Sequence, residues 1–155
     1  MISILFVCYA NLVRSPAFEA CVKSLVAKCG ASEKVYVDSC GIIESTSGQQ
    51  ASSRMVEIAA RDGITIEHSA KVFQDSFFDQ FSAIFAVDET IFKALFEKEA
   101  CSKWRKKLYR TAHFSSDDKR DLANPLEGEK SYLATWNTIK EQSSAIFTHY
   151  ISPQL

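Results

Sequence analysis

ISILFVCYANLVRSP, residues 2–16, runs from an unbroken apolar stretch into Cys8 and reaches Arg14, Ser15 and Pro16 within one short loop. A continuous apolar run suits a strand buried on both faces. Pro16 suits the first turn of a helix, where its missing N–H costs nothing. A strand that turns tightly into a helix aims several backbone N–H groups at one point and so makes a cradle for an oxyanion. Cys8 is expected on the floor of that cradle and Arg14 on its rim. The helix-terminal dipoles and the Arg14 charge favour a thiolate at Cys8. The guanidinium fork holds two phosphate oxygens, which an ammonium does not. The same groups stabilise charge on a transferring phosphoryl group. Ser15 is placed to donate to the departing thiolate, and it also suits the cap of the helix. The stretch predicts phosphate-ester chemistry with Cys8 as nucleophile.

The rest of the composition narrows the setting. At 155 residues the chain suits a single domain, 1–155, with a sizeable core. A net charge of −1 gives no argument for nucleic acid or an anionic membrane as partner, so an anionic ligand must be drawn by local geometry. MISILFV is short, lacks a basic flank and leads straight into the motif, so it reads as a core strand and not a signal peptide. No apolar run reaches the roughly 18 residues of a membrane helix. The five cysteines (8, 21, 29, 40 and 101) are odd in number and show no metal-ligand or C-x-x-C spacing. A reduced, cytoplasmic, monomeric protein is expected, with no metal and no cofactor. Cys21 and Cys29 read as core or helix residues.

Periodicity then lays out the chain. Residues 2–7 read as a buried strand, and AFEACVKSLVAKCG after Pro16 as a helix closed by Gly30. KVYVDS (34–39) is a second strand, GIIESTSGQQ (41–50) a loop, and ASSRMVEIAARDG (51–63) a capped helix. SAIFAVDE (82–89) is a third strand leading into an acidic helix start, and TIFKALFEKEA continues as that helix. WRKKLYR (104–110) suits a charged edge strand, 111–129 a polar loop, and 131–150 a long amphipathic helix. Phe73, Phe77, Phe78 and Phe81 have helical spacing and read as core. The alternation predicts an α/β fold of three layers: a central four-stranded parallel sheet with helices on both faces. Ligands in such sheets bind at the carboxyl ends of strands, where Cys8 falls.

The segment VCYANLVRSPAFEA resembles the phosphate loop of the low-molecular-weight protein tyrosine phosphatases, C-x-G-N-x-C-R-S-P, at Cys8, Asn11, Arg14, Ser15 and Pro16. DSCGI (38–42) resembles that family's Ser-Ala-Gly, FAVDE (85–89) its Met-Asp-Glu, and Gln49-Gln50-Ala51 with Arg54-Met55 its usual helix start. Asn124-Pro125 with Gly128 falls where the family carries D-P-Y-Y-G. The resemblance implies hydrolysis of phosphotyrosine or a small aryl phosphate, with inorganic phosphate as product. It implies that Tyr9, Ala10, Asn11, Leu12 and Val13 form the phosphate loop, and that Asn124 and Leu126 line the substrate slot. Asn11, Ser39 and His68 would form a hydrogen-bond network shaping the loop; Asn suits a left-handed position. His68 also reads as a surface turn residue.

Four departures qualify that implication. Ala10 replaces a glycine, and Val13 replaces the second cysteine that caps the nucleophile as a disulfide in the family. Cys40, next to Ser39, is an alternative redox partner or a packing residue. Ser45 and the pair Leu126–Glu127 stand where aromatic walls are usual, leaving Tyr9 as one aromatic face. Asn124 stands at the position of the family's general acid, and an amide cannot protonate a leaving tyrosinate. Loss of a general acid costs about 10²–10⁴ in rate. Asp121 and Glu127 are candidate replacements, although Asp121 also reads as a solvated charge in a polar loop. The alternatives are therefore a slow phosphatase, a phosphotyrosine- or phosphate-binding protein, and an arsenate reductase. The last needs two more relay cysteines that the spacing does not provide.

Overall fold

β1 (Ile2–Cys8) is an inner strand, paired in parallel with β2 (Val35–Gly41) on one side and β3 (Ala83–Ala86) on the other in this computed structural model of all 155 residues. β4 (Leu108–Arg110) adds in parallel to β3, giving the order β2-β1-β3-β4. The helices are α1 (Arg14–Lys28), α2 (Ser53–Arg61), α3 (Phe77–Gln80), α4 (Glu89–Phe96) and α5 (Glu129–Ile146). The β1–α1–β2 and β3–α4–β4 crossovers leave the sheet centre in opposite directions. Right-handed connections therefore place α1 and α4 on opposite faces.

Residue parity assigns the faces. Phe6 stacks on Phe18 of α1 at 5.1 Å and on Phe85 of β3 at 5.6 Å, and Phe85 stacks on Tyr109 of β4 at 5.3 Å. Cys8 shares that face, because side chains on a strand alternate. On the other face Tyr36 stacks on Phe81 at 6.2 Å, and the phenylalanines at 73, 77, 78 and 81 pack edge to face. Phe73, Phe78 and Phe81 are buried, as their spacing predicts, but only a four-residue helix forms there and Phe73 lies outside it.

Several expected boundaries shift. The 82–89 strand shortens to 83–86, because Asp88 turns out to cap α4 by accepting from the Ile91 amide at 2.8 Å. Of 104–110 only Leu108–Arg110 pairs as strand; Arg105–Lys107 forms a 3₁₀ turn, which lets Lys107 Nζ reach the Phe78 carbonyl. The last helix starts at Glu129 and loosens after Ile146 into a wider turn over Phe147–Ile151. Ser15 does not cap α1. The helix begins at Arg14, and Val13 is the capping position.

Candidate active site

The loop from Tyr9 to Val13 is built by exporting its carbonyls. The Tyr9 carbonyl accepts from the Ile42 amide at 2.9 Å, and the Ala10 carbonyl from Thr46 Oγ1 at 2.7 Å. The Asn11 carbonyl accepts from His68 Nε2 at 2.8 Å, and the Leu12 carbonyl from the Ser52 amide at 2.8 Å. With four carbonyls bonded to other parts of the chain, the amides of residues 9–13 donate to nothing in the chain. A row of N–H groups without a partner in the chain, beside a buried thiol, has the form that suits an anion.

Two backbone features make this path possible. Asn11 is the one non-glycine residue with positive φ, at 60°. Its side chain holds the turn, donating from Nδ2 to Ser15 Oγ at 2.8 Å and to Ser39 Oγ at 3.0 Å, while Oδ1 accepts from the Lys71 amide at 3.0 Å. Gly41, level with Cys8 in the sheet, touches the loop closely; a Cβ there would lie 2.6 Å from the Tyr9 carbonyl oxygen.

Cys8 is buried at the floor, with its sulfur 2.9 Å from Ser15 Oγ. Because Asn11 donates into Ser15, the serine hydroxyl proton has two acceptors in reach, the Cys8 sulfur at 2.9 Å and the Cys40 carbonyl at 3.3 Å. Glu19, buried on the next turn of α1, accepts from Ser39 Oγ at 2.7 Å and closes the same network. His68 thus sits against the loop and not on a free turn; since a carbonyl only accepts, Nε2 carries the proton.

Arg14 is not on the rim. It is 2% exposed, and its Nη1 donates to Asp88 Oδ2 and to the Leu122 carbonyl, both at 2.7 Å. Its Nε is buried without a partner. The guanidinium therefore forms a wall of the cradle, held from behind, with a donor left over. Asp88 and the Leu122 carbonyl were not legible as its anchors in the sequence. The acidic Val-Asp-Glu at a strand end was the only signal.

The segment carrying the acid candidates is tied down at 121 and 122. Asp121 Oδ1 accepts from Arg110 Nη2 and from the Glu89 amide, so its carboxylate is committed to β4 and α4. Asn124, Leu126 and Glu127 are exposed beyond it, and Leu126 is 78% exposed. Tyr9, half exposed, stands at the mouth, and Ala10, Leu12 and Val13 are partly buried.

The other thiols are separate. Cys40 pairs in register with Val7, so its side chain lies on the face of the sheet opposite Cys8. Burial pushes its thiol well up, and the Cys8 charge adds to that. Cys21 and Cys101 are also raised by burial. No group of three or more His, Cys, Asp or Glu side chains has the geometry to hold a metal ion. No helix is long and apolar enough to cross a membrane.

A protein tyrosine phosphatase from Entamoeba histolytica superposes over the full length of both chains with a TM-score of 0.91 at 26% identity. In sequence, low molecular weight phosphotyrosine protein phosphatase 2 of Drosophila melanogaster is 39% identical over 93 residues, 60% of this chain and 57% of that protein. The protein-tyrosine-phosphatase YfkJ of Bacillus subtilis is 38% identical over 89 residues, 57% of each. In sequence this chain thus matches a little over half the length of those relatives. The model of the low molecular weight phosphotyrosine protein phosphatases matches residues 3–152. With the fold, the loop and these likenesses together, the chain belongs to the low molecular weight phosphotyrosine protein phosphatase family.

Proposed function

We propose that residues 1–155 act as one unit, a phosphatase that hydrolyses phosphotyrosine in proteins or small aryl phosphates through a phosphocysteine on Cys8. The observation that carries this reading is the exported-carbonyl loop, whose amides surround a buried thiol with Ser15 at 2.9 Å. In the first step the Cys8 thiolate attacks phosphorus, the P–O bond to the aryl group breaks and the phenolate leaves to take its proton from water, while the loop amides and Arg14 hold the equatorial oxygens. In the second, water attacks phosphorus, the S–P bond breaks, and Ser15 donates to the sulfur as it leaves. Inorganic phosphate is released.

Turnover of phosphotyrosine is slow, because Asn124 occupies the position of the acid and Asp121 is bound to Arg110 and the Glu89 amide. That same pair of observations favours a second reading, a protein that captures phosphotyrosine or phosphate without efficient release. Arsenate reduction is disfavoured by Cys40, which lies across the sheet from Cys8. The net charge of −1 and the free thiols suit a cytoplasmic monomer.

A pH–rate profile with an aryl phosphate of low leaving-group pKa, on the wild type and on Cys8→Ser, tests the proposal. Turnover lost in Cys8→Ser supports the phosphatase; turnover retained there sinks the covalent mechanism. No wild-type turnover, with phosphate still bound, supports the binding protein.

A further inference from the structure

We infer that Asp38, a β2 residue outside the cradle, is a positioning residue whose one carboxylate steadies both ends of the Asn11 side chain and so fixes the turn of the phosphate loop. The inference rests on the anion-cradle reading above and extends it to a residue that bonds to neither the thiol nor the loop. The hydrogen-bond partners of Asp38 are Tyr36, Ser39 and Lys71.

Asn11 needs holding because it is the one non-glycine residue at positive φ. That conformation is costly for an L residue and persists only where the surroundings enforce it. Its carboxamide is gripped at two ends. Oδ1 accepts from the Lys71 amide at 3.0 Å, and Nδ2 donates to Ser39 Oγ at 3.0 Å. Both partners are in turn held by Asp38. Its Oδ2 accepts from Lys71 Nζ, and its Oδ1 accepts from the Ser39 amide at 2.8 Å. Asn11 thus joins Ser15, which lies against the Cys8 sulfur, to an ion pair at the protein surface.

The segment that carries Lys71 has other ties. The Lys71 carbonyl accepts from the Gly41 amide at 2.8 Å, and the Phe73 amide donates to the Gly41 carbonyl at 2.7 Å. These seat the segment at the end of β2, at one point. The pair with Asp38, three residues back along the same strand, is a second point of attachment and stops the segment from pivoting about Gly41. The Lys71 side chain is 43% exposed, and an exposed ion pair adds little to global stability. Its effect falls on where the Lys71 amide points, and through Asn11 on the loop. Misplacing groups around a reacting centre by about 1 Å costs up to about 10² in rate.

The test compares the full chain with Asp38→Asn, Lys71→Met and the double variant. In Asp38→Asn the new side-chain oxygen still accepts from the Ser39 amide, while the charge that holds Lys71 is gone. Calorimetric titration with inorganic phosphate is the main readout, accompanied by kcat and KM for p-nitrophenyl phosphate and by thermal unfolding. Each single variant is expected to bind phosphate about tenfold more weakly, with KM rising alongside and the melting temperature little changed. The double variant should lose no more than either single one, because the two residues act as a pair. Lys71→Arg keeps the cation and should retain wild-type affinity. Unchanged phosphate affinity in both single variants overturns the inference and leaves the cradle standing. Additive losses in the double variant, or a loss in Lys71→Arg equal to that in Lys71→Met, also overturn it. So does a lower kcat per chain with a lower melting temperature and unmoved phosphate affinity, which marks a smaller folded fraction. A wild type that binds no phosphate overturns the cradle reading and the inference together.

Discussion

Nη1 of Arg14 lies 2.7 Å from Oδ2 of Asp88, and the other oxygen of that carboxylate accepts from the Ile91 amide at 2.8 Å. One side chain thus caps α4 and fixes the wall of the phosphate cradle. A buried guanidinium that loses its carboxylate is left with an uncompensated charge. Arg14 also grips the Leu122 carbonyl, so the segment leading to Asn124 is attached to the same group that is proposed to hold phosphate.

Asp88→Asn is expected to lower stability by about 1–3 kcal/mol, since the pair is largely buried and the cap is weakened. Inorganic phosphate affinity should fall about tenfold or more, corresponding to about 1.4 kcal/mol. Thermal unfolding and phosphate titration check the two effects separately. Unchanged phosphate affinity would show that Arg14 does not need Asp88 to hold its place.

Gly41→Ala places a Cβ 2.6 Å from the Tyr9 carbonyl oxygen and 2.9 Å from the Asn11 nitrogen. Both are backbone atoms of the loop and cannot swing aside. A cost of about 1–3 kcal/mol is expected, with phosphate affinity lost more sharply than helix content. Circular dichroism melts beside phosphate titration distinguish loop distortion from global unfolding.

Iodoacetamide labelling at pH 8 should separate the five thiols. Burial raises Cys40, Cys21 and Cys101, so each stays a protonated, covered thiol at that pH and labels only after unfolding. Exposed Cys29 labels irrespective of ligand. Label at Cys8 should be suppressed by inorganic phosphate. Peptide mapping with and without phosphate reads this directly, and native labelling of Cys40 would contradict its placement.

Peroxide should inactivate the protein without rescue by a thiol reductant. With Val13 beside the loop and Cys40 across the sheet, an oxidised Cys8 has no cysteine to trap it as a disulfide and proceeds to sulfinic acid. Recovery of activity with dithiothreitol, or a Cys8–Cys40 disulfide in the peptide map, would overturn this.

The sheet, its parallel sense and the loop were legible in the sequence, because an apolar run, a cysteine and a Ser-Pro helix start are local signals. The face of the sheet on which Cys8 lies follows from parity alone, and so does its separation from Cys40. What the sequence did not reveal depends on contacts distant along the chain. Arg14 turned inward because Asp88, 74 residues later, and Leu122, 108 residues later, meet it there. Asp121 was readable as a carboxylate near the acid position, but not as the partner of Arg110. Ser15 was readable as a cap, yet the helix starts at Arg14 and its hydroxyl lies between the Cys8 sulfur and the Cys40 carbonyl.

The proposed mechanism carries phosphate on the sulfur of Cys8. Rapid mixing with p-nitrophenyl phosphate, followed by acid quenching and mass spectrometry of the peptides, tests it most directly. The account predicts a burst of one nitrophenolate per chain and a phosphoryl group on Cys8. Turnover with no burst in Cys8→Ser would agree only if its rate were negligible. A phosphoryl group on another residue, or full activity without Cys8, would contradict the account.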